Sequence, residues 1–415
     1  MNLLSYYLKQ NNTNMYQLHI TSGIPEATIR SINKRPLNKW TIGQIESICH
    51  LVRKDKFKVL NELEELNNNE VLKEEHSLNK YNIENRRYIG SKAKLMPWIR
   101  DLLKVHTHGT SFLDLFSGTG IVINKVLDDY NKFIINDLLY SNEVIYKAFY
   151  MNEDFDLKKL KTIEREFQAI KTNNMDDDYI ADNYGGKFFS EYDARIIGEI
   201  RELIKISIDL NEKERSILIA SLLYSADKVS NTVGHYDAYR KKIELKDRFK
   251  FELINPIDTT DKDINIHRQD ANNLVRQVKA DITFIDPPYN SRQYSRFYHV
   301  LEVLTKWEKP VLSGVAMKPE TENSSDYSKS IAPFVFDDLI ANLNTNFIVV
   351  TYNNTYKPKS SSSKNKISHE QILESLNKVG YTQVFEMPYK HFNSGKTEFS
   401  DHKEMVFITE VNNYE

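Results

Sequence analysis

The chain has 415 residues, 40% of them hydrophobic and 27% charged, with a formal net charge of −2. That length holds two or three domains and a sizeable core, and the composition is that of a soluble globular protein. No apolar run approaches the ~18 residues of a membrane span, and the N-terminus lacks a secretory apolar segment. Cys49 is the one cysteine, so neither an internal disulfide nor a multi-thiolate metal site can form. A cytoplasmic protein with no metal is expected. A charge near zero does not advertise nucleic-acid binding, but phosphate contacts depend on local patches rather than on totals.

Residues 1–60 read as a compact helical unit. Within it, Met15-Tyr16-Gln17-Leu18 leads to Ser22-Gly23-Ile24-Pro25 and then to Glu26-Ala27-Thr28-Ile29-Arg30-Ser31-Ile32. That is a short helix, a glycine-containing turn and a second helix with Pro25 near its first turn. A further amphipathic helix follows, with Thr41 as its cap and Ile42, Ile45, Ile48 and Leu51 on one face. The pattern is similar to the helix-turn-helix of phage-repressor-like regulators, and a bundle used for packing or dimerisation has the same outline. Residues 61–80, rich in Glu, Asn and Lys, read either as a solvated helix or as a linker, and are taken as the linker at a domain boundary.

From Tyr81 onward strand and helix signals alternate. Phe112-Leu113-Asp114-Leu115-Phe116 predicts a strand, followed by a helix from Ile121 and a second strand at Phe133-Ile134-Ile135. Residues 143–256 are mostly helical in pattern, and strands resume near Ile264, Ile282 and Phe347. The alternation predicts an α/β core with a parallel sheet over 81–142 and 257–415, interrupted by a helical insert at 143–256.

Five places in that core carry chemistry. Arg86-Arg87-Tyr88-Ile89-Gly90-Ser91-Lys92-Ala93-Lys94 joins an aromatic, a tight turn and four cations just before the first strand. Ser117-Gly118-Thr119-Gly120 follows that strand, where glycines let the backbone approach a ligand closely. Asp137, at the end of the next strand, is placed either to hold a ribose hydroxyl pair or to cap a helix. Asp270, after Ile264-Asn265-Ile266-His267, is either an acceptor for an adenine amino group or a surface cap. Last comes Asp286-Pro287-Pro288-Tyr289, directly after the apolar run Ile282-Thr283-Phe284-Ile285. It presents an acid, a rigid backbone carbonyl and an aromatic face at one point, a set suited to a flat, weakly nucleophilic amine.

In this order the motifs resemble those of the Dam-type, adenine-N6-specific DNA methyltransferases in their alpha arrangement. The resemblance covers about Tyr81 to Val411 and leaves the N-terminal unit outside it. It implies a Rossmann-like core and the cofactor S-adenosylmethionine. Tyr88 and Lys92 match positions lying against that cofactor. Asp114, Phe116, Gly118 and Gly120 match the loop under its methionine end, Asp137 its ribose ligand, and Asp270 the acceptor for its adenine. Asp286, Pro287, Pro288 and Tyr289 match the catalytic site, with Asp286 also facing the cofactor. Where Dam has tryptophan this chain has Tyr88, and stacking survives that exchange.

The resemblance further implies double-stranded DNA as substrate and a flipped-out target base, and leaves open a cognate restriction enzyme as a partner. The insert carries Asn231, Thr232, His235, Tyr236, Arg240 and Lys241, polar groups that can read base edges beside cations that can hold phosphate. Tyr352 and Asn353 are expected to shape the base pocket. The segments Pro319–Lys329 and Lys357–Lys366 are expected to be loops near DNA. Two other readings stand beside this one. One is N4-cytosine methylation, for which Ser more often opens the tetrapeptide. The other is a transcriptional regulator with a vestigial methyltransferase core, which has no physical reason to keep Asp137, Asp270 and Asp286 together.

Overall fold

The computed structural model describes residues 3–11, 13–33, 35–68, 81–171, 178–289, 291–353, 366–388 and 403–412. The chain divides into two compact units, Met1–Lys80 and Tyr81–Glu415.

The first unit contains helices α1 (Leu3–Gln10), α2 (Met15–Ser22), α3 (Glu26–Asn33), α4 (Ile42–Val52) and α5 (Lys56–Asn68). Local sequence explains each boundary. Asn14 caps α2 by accepting from the Gln17 N–H, and Gly23, at φ 69°, closes it in the left-handed conformation that favours glycine. Thr41 and Gln44 form a reciprocal capping box at the start of α4. The α4 face differs from expectation: Ile45 and Ile48 are buried, but Ile42, in its first turn, is 64% exposed. The expected linker also begins later than residue 61. Val59 and Leu63 of α5 lie in the same apolar core as Leu4, Leu18, Ile29 and Ile48, and Tyr7 of α1 donates to Glu62 at 2.7 Å. Residues 69–80 of that linker lie outside the described residues.

The second unit is built on a seven-stranded sheet in the order β3-β2-β1-β4-β5-β7-β6. The strands are β1 (Ser111–Asp114), β2 (Lys132–Asn136), β3 (Asp263–His267), β4 (Ala280–Ile285), β5 (Thr345–Asn353), β6 (Gly380–Pro388) and β7 (Lys403–Val411). Strands β1 to β5 run parallel to one another, whereas β7 is antiparallel to both β5 and β6. This mixed sheet agrees with the expected α/β core. Its central strands read as continuous apolar runs because both faces are covered: Phe112, Ile282 and Phe284 are fully buried. Asp281 ties β1 to β4 at their starts, accepting from the Thr110 N–H at 2.8 Å and the Ser111 N–H at 2.9 Å.

Helix α6 (Met96–His106) precedes β1, and α7 (Ile121–Val126) joins it to β2. Between β2 and β3 come α8 (Tyr140–Tyr150), α9 (Leu157–Ala169), α10 (Tyr179–Tyr184), α11 (Glu191–Ile206) and α12 (Glu212–Val229). Helix α12 is buried almost all round, from Ser216 to Asp227, as a helix at the centre of a layer must be. The helical block is shorter at its end than the sequence pattern implies, since residues 230–256 form no helix. They run as irregular chain back to the core, where Ile254 bridges to Tyr81. The remaining helices are α13 (Ala271–Leu274), α14 (Tyr294–Phe297), α15 (His299–Lys306), α16 (Ala332–Ala341) and α17 (His369–Asn377).

Strand order reverses between β1 and β4. From β1 the chain moves outward through β2 to β3, then returns to place β4 on the other flank of β1. In such sheets a crevice opens at the carboxyl ends of the strands at this switch point.

Candidate active site

The turn after β1 is held open by its glycines and by groups that reach it from other elements. Gly118 and Gly120 have φ of 52° and 75°, and a Cβ on Gly118 would stand 3.1 Å from the Tyr88 ring. Tyr146 and Tyr150, one turn apart on α8, donate to the carbonyls of Gly118 and Gly120 at 2.8 and 2.9 Å. Asn136, at the end of β2, donates to the carbonyls of Leu115 and Gln269, both at 3.1 Å. One buried amide thus ties the ends of β1, β2 and β3 together.

Asp137 accepts from the Gly118 N–H and the Leu139 N–H, each at 2.9 Å. Asp270 caps α13 by accepting from the Asn273 N–H at 3.1 Å. The capping alternative thus describes Asp270, whereas Asp137 ties the turn after β1 to the chain before α8 and caps no helix; both line a cavity of about 910 Å³, counted out to its mouth. Tyr88, Lys92, Phe116, Gly118, Asp286 and Pro288 line it too, with Tyr294 and Tyr327. Tyr88 is stacked on Tyr298 at 4.7 Å and nearly parallel, at 4°, and lies 5.4 Å from Tyr294.

Four expected site residues are not in the cavity wall. Gly120 is the cap of α7, and Asp114 lies wholly buried behind the loop. Pro287 is buried, and Tyr289 turns its hydroxyl onto Asp286. Neither Asp114 carboxyl oxygen makes a well-formed hydrogen bond, although the Ser117 side chain and the Phe116 N–H pull its titration down. Burial pushes this carboxyl up to about 8, with the charges of Asp286 and Asp137 adding to it. Burial likewise raises Asp137, against the pull of its N–H donors and of Arg86.

At the end of β4 the Asp286 carboxylate is bonded on both oxygens. Oδ2 pairs with Lys92 Nζ at 2.9 Å. Oδ1 accepts from the Tyr289 hydroxyl at 2.6 Å and the Thr351 hydroxyl at 2.8 Å. Lys92, almost wholly buried, also donates to the Tyr289 hydroxyl at 2.9 Å. The Tyr289 ring rests on Tyr352, 4.4 Å away. Tyr352 is fully buried and donates to the Tyr289 carbonyl at 3.3 Å, so it acts on this corner from beneath. Asn353 is buried as well.

The insert residues expected to meet DNA separate into two groups. Asn231, Thr232 and Tyr236 are buried. Asn231 donates to the Lys187 and Arg240 carbonyls at 2.8 and 3.0 Å, and Tyr236 to Asp227 at 3.0 Å. For these three, a role in reading base edges gives way to one in packing, because their polar groups face inward. His235 is half-buried and stacks on Phe297 at 4.6 Å. Arg240 and Lys241 are exposed, and Lys241 borders a surface groove with Arg296 and Lys318. Residues 357–365 of the expected basic loop lie outside the described residues.

Residue-type reasoning missed the tyrosines that frame the cavity. Tyr146 and Tyr150, and Tyr294 and Tyr298, are i, i+4 pairs, a spacing that puts both rings on one helical face. It also missed Glu404, which sits on a strand with no motif around it.

The buried Asp114 makes stability depend on pH. A carboxyl raised to about 8 is favoured neutral by the fold, so folding binds a proton that the unfolded chain releases above ~4. Its contribution to stability is full below that pH and falls as pH rises to about 8. The Asp114→Asn variant, without added ligand, should therefore gain in melting temperature relative to wild type between pH 5 and pH 8. A difference that stays constant over that range would contradict the assignment.

The D12 class N6 adenine-specific DNA methyltransferase family matches residues 88–367, the stretch that holds the cavity, the glycine turn and Asp286. The chain is 34% identical over 289 residues to modification methylase LlaI of Lactococcus lactis subsp. lactis, covering 65% of this chain and 46% of that protein. It is 33% identical over 329 residues to modification methylase StsI of Streptococcus sanguinis, covering 74% and 49%. It thus spans about half the length of these two relatives. Type II methyltransferase M.NlaIII of Neisseria lactamica is 30% identical over 327 residues, covering 76% of this chain and 95% of that protein. The chain belongs to the D12 class of N6 adenine-specific DNA methyltransferases.

Proposed function

We propose that this protein is a site-specific DNA methyltransferase that transfers a methyl group from S-adenosylmethionine to N6 of adenine in double-stranded DNA. The observation that carries the reading is Asp286, whose carboxylate stands at the end of β4 in the wall of the switch-point cavity. Family membership supports adenine over cytosine N4, as does Asp at the head of the tetrapeptide. Asp137, Asp270 and Asp286 around one cavity argue against a vestigial core.

The residues suit S-adenosylmethionine. The bare Gly118 backbone admits a ligand where a Cβ would crowd Tyr88. Asp137 is offered for the ribose hydroxyls and Asp270 for the adenine amino group. Asp114, buried behind the loop and favoured neutral in the free protein, places a carboxyl under the cationic methionine end, whose charge draws it toward its ionised form. Bound there, the cofactor supplies an electrophilic methyl carbon on a positively charged sulfur.

The protein must then make a poor nucleophile better. The adenine N6 lone pair is delocalised into the ring. Asp286 accepts one amino proton and the Pro287 carbonyl the other, which favours a tetrahedral nitrogen and stabilises its developing positive charge. A base inside a duplex cannot reach this corner, so it is extruded at a cost of about a few kcal/mol. Tyr289 gives the extruded base an aromatic wall. Arg240 and Lys241, with the cations of the neighbouring groove, hold phosphate. A thiolate mechanism is disfavoured because the one cysteine, Cys49, packs in the N-terminal unit. The names of the relatives support a role beside a cognate restriction enzyme.

The α2–turn–α3 element of the first unit supports a helix-turn-helix that binds DNA, either to lengthen the contact or to regulate a promoter.

Asp286→Ala should lower single-turnover methyl transfer on the order of 10²–10³-fold or more, read well below the variant's own melting transition, since the change also strands the buried Lys92 charge. Near-normal transfer by this variant would refute the role of Asp286. Deleting residues 1–80 should weaken DNA binding in a mobility-shift assay. Unchanged binding to target and to promoter DNA would remove both roles of the N-terminal unit.

A further inference from the structure

Glu404 is the buried acid of the catalytic corner that the mechanism above does not use. It lies in the first turn of register of β7, opposite Asn353 of β5, two residues before Val406, which pairs with Thr351. Directly opposed and alternate residues share one face of a sheet. The Glu404 side chain is therefore on the face from which Thr351 reaches Asp286 at 2.8 Å. It is 6% exposed, and its Oε2 has no hydrogen-bond partner. Burial lifts its carboxyl above the usual range, while the charge of Lys92 pulls it down and that of Asp286 pushes it up. Glu404 thus stands within the field of both members of the catalytic ion pair.

That pair poses a problem for the reaction. With Lys92 on Oδ2 and two hydroxyls on Oδ1, the Asp286 charge is already met before a base arrives. An ammonium held beside Asp286 also opposes the positive charge that develops on N6, strongly so in a site of low dielectric. A buried carboxyl with an unmet oxygen, on the sheet face that Thr351 shares, supplies the remedy. We propose that Glu404 is a positioning residue that takes the Lys92 ammonium as Asp286 turns to the base, an inference resting on the methyl-transfer reading of this cavity. No covalent bond changes in this step. A hydrogen-bonded ammonium exchanges one carboxylate partner for another, leaving Asp286 its negative charge for the amino group.

The test is a double-mutant cycle on the full-length protein, read by single-turnover methyl transfer to adenine in duplex DNA. E404Q should lower the rate about ten-fold or more with the melting temperature and the dissociation constants for S-adenosylmethionine and DNA within two-fold of wild type. In a K92Q background the same change should alter the rate less than about two-fold. Should E404Q melt early, E404D decides. A rate within about three-fold of wild type supports the proposal, since the charge is kept, and a loss as large as that of E404Q overturns it. Wild-type rates in E404Q, or the same loss in both backgrounds, also overturn it while leaving the methyltransferase reading intact. A wild-type chain that methylates no adenine overturns both.

Discussion

The structure turns on a buried ion pair, Lys92 with Asp286, at 2.9 Å. Burying two charges costs several kcal/mol per ion, and the attraction between them only partly offsets this, so such a pair is weak evidence for stability. Its value lies in location. Asp286 ends β4 and Lys92 comes from the segment before α6, so the pair joins a strand end to the chain that walls the cavity. Tyr289 and Thr351 supply hydroxyls to the same carboxylate, which fixes its rotamer from two further elements. Under the proposed function, these bonds hold the carboxylate at the cavity until an incoming amine displaces the ammonium from it.

The strand order makes this arrangement possible. Reversal between β1 and β4 sets the glycine turn of one strand beside the Asp286 end of the other. Neither end is rigid by itself. Tyr146 and Tyr150 hold the turn from α8 through its carbonyls, and Asn136 ties in the third strand. The block of helices between β2 and β3 therefore does more than carry exposed cations, because α8, its first helix, braces the cavity.

Strand-end chemistry was legible in the sequence. Asp137 and Asp286 each follow an apolar run, and an acid after a buried strand is confined to the rim where the sheet ends; Asp270 follows the partly exposed edge strand β3 and has a weaker local signal. The N-terminal turns were legible for the same local reason, as in the Thr41 capping box. What escaped depends on contacts distant in the chain. Strands β6 and β7 find their partners only through each other and β5, so no local period announces their place. Asn231 and Tyr236 look like surface readers because they are polar, yet chain from α10 to α11 and the end of α12 covers them. Asp114 belongs to the right motif but lies one layer behind the cavity wall, a depth that spacing does not encode.

The account's central claim is the acceptor atom. Purified protein would be incubated with isotopically labelled S-adenosylmethionine and unmethylated duplex DNA, and the DNA digested to nucleosides for mass spectrometry. The account predicts label in N6-methyladenine alone. Label in N4-methylcytosine, or none in any nucleoside while the cofactor binds, would contradict it.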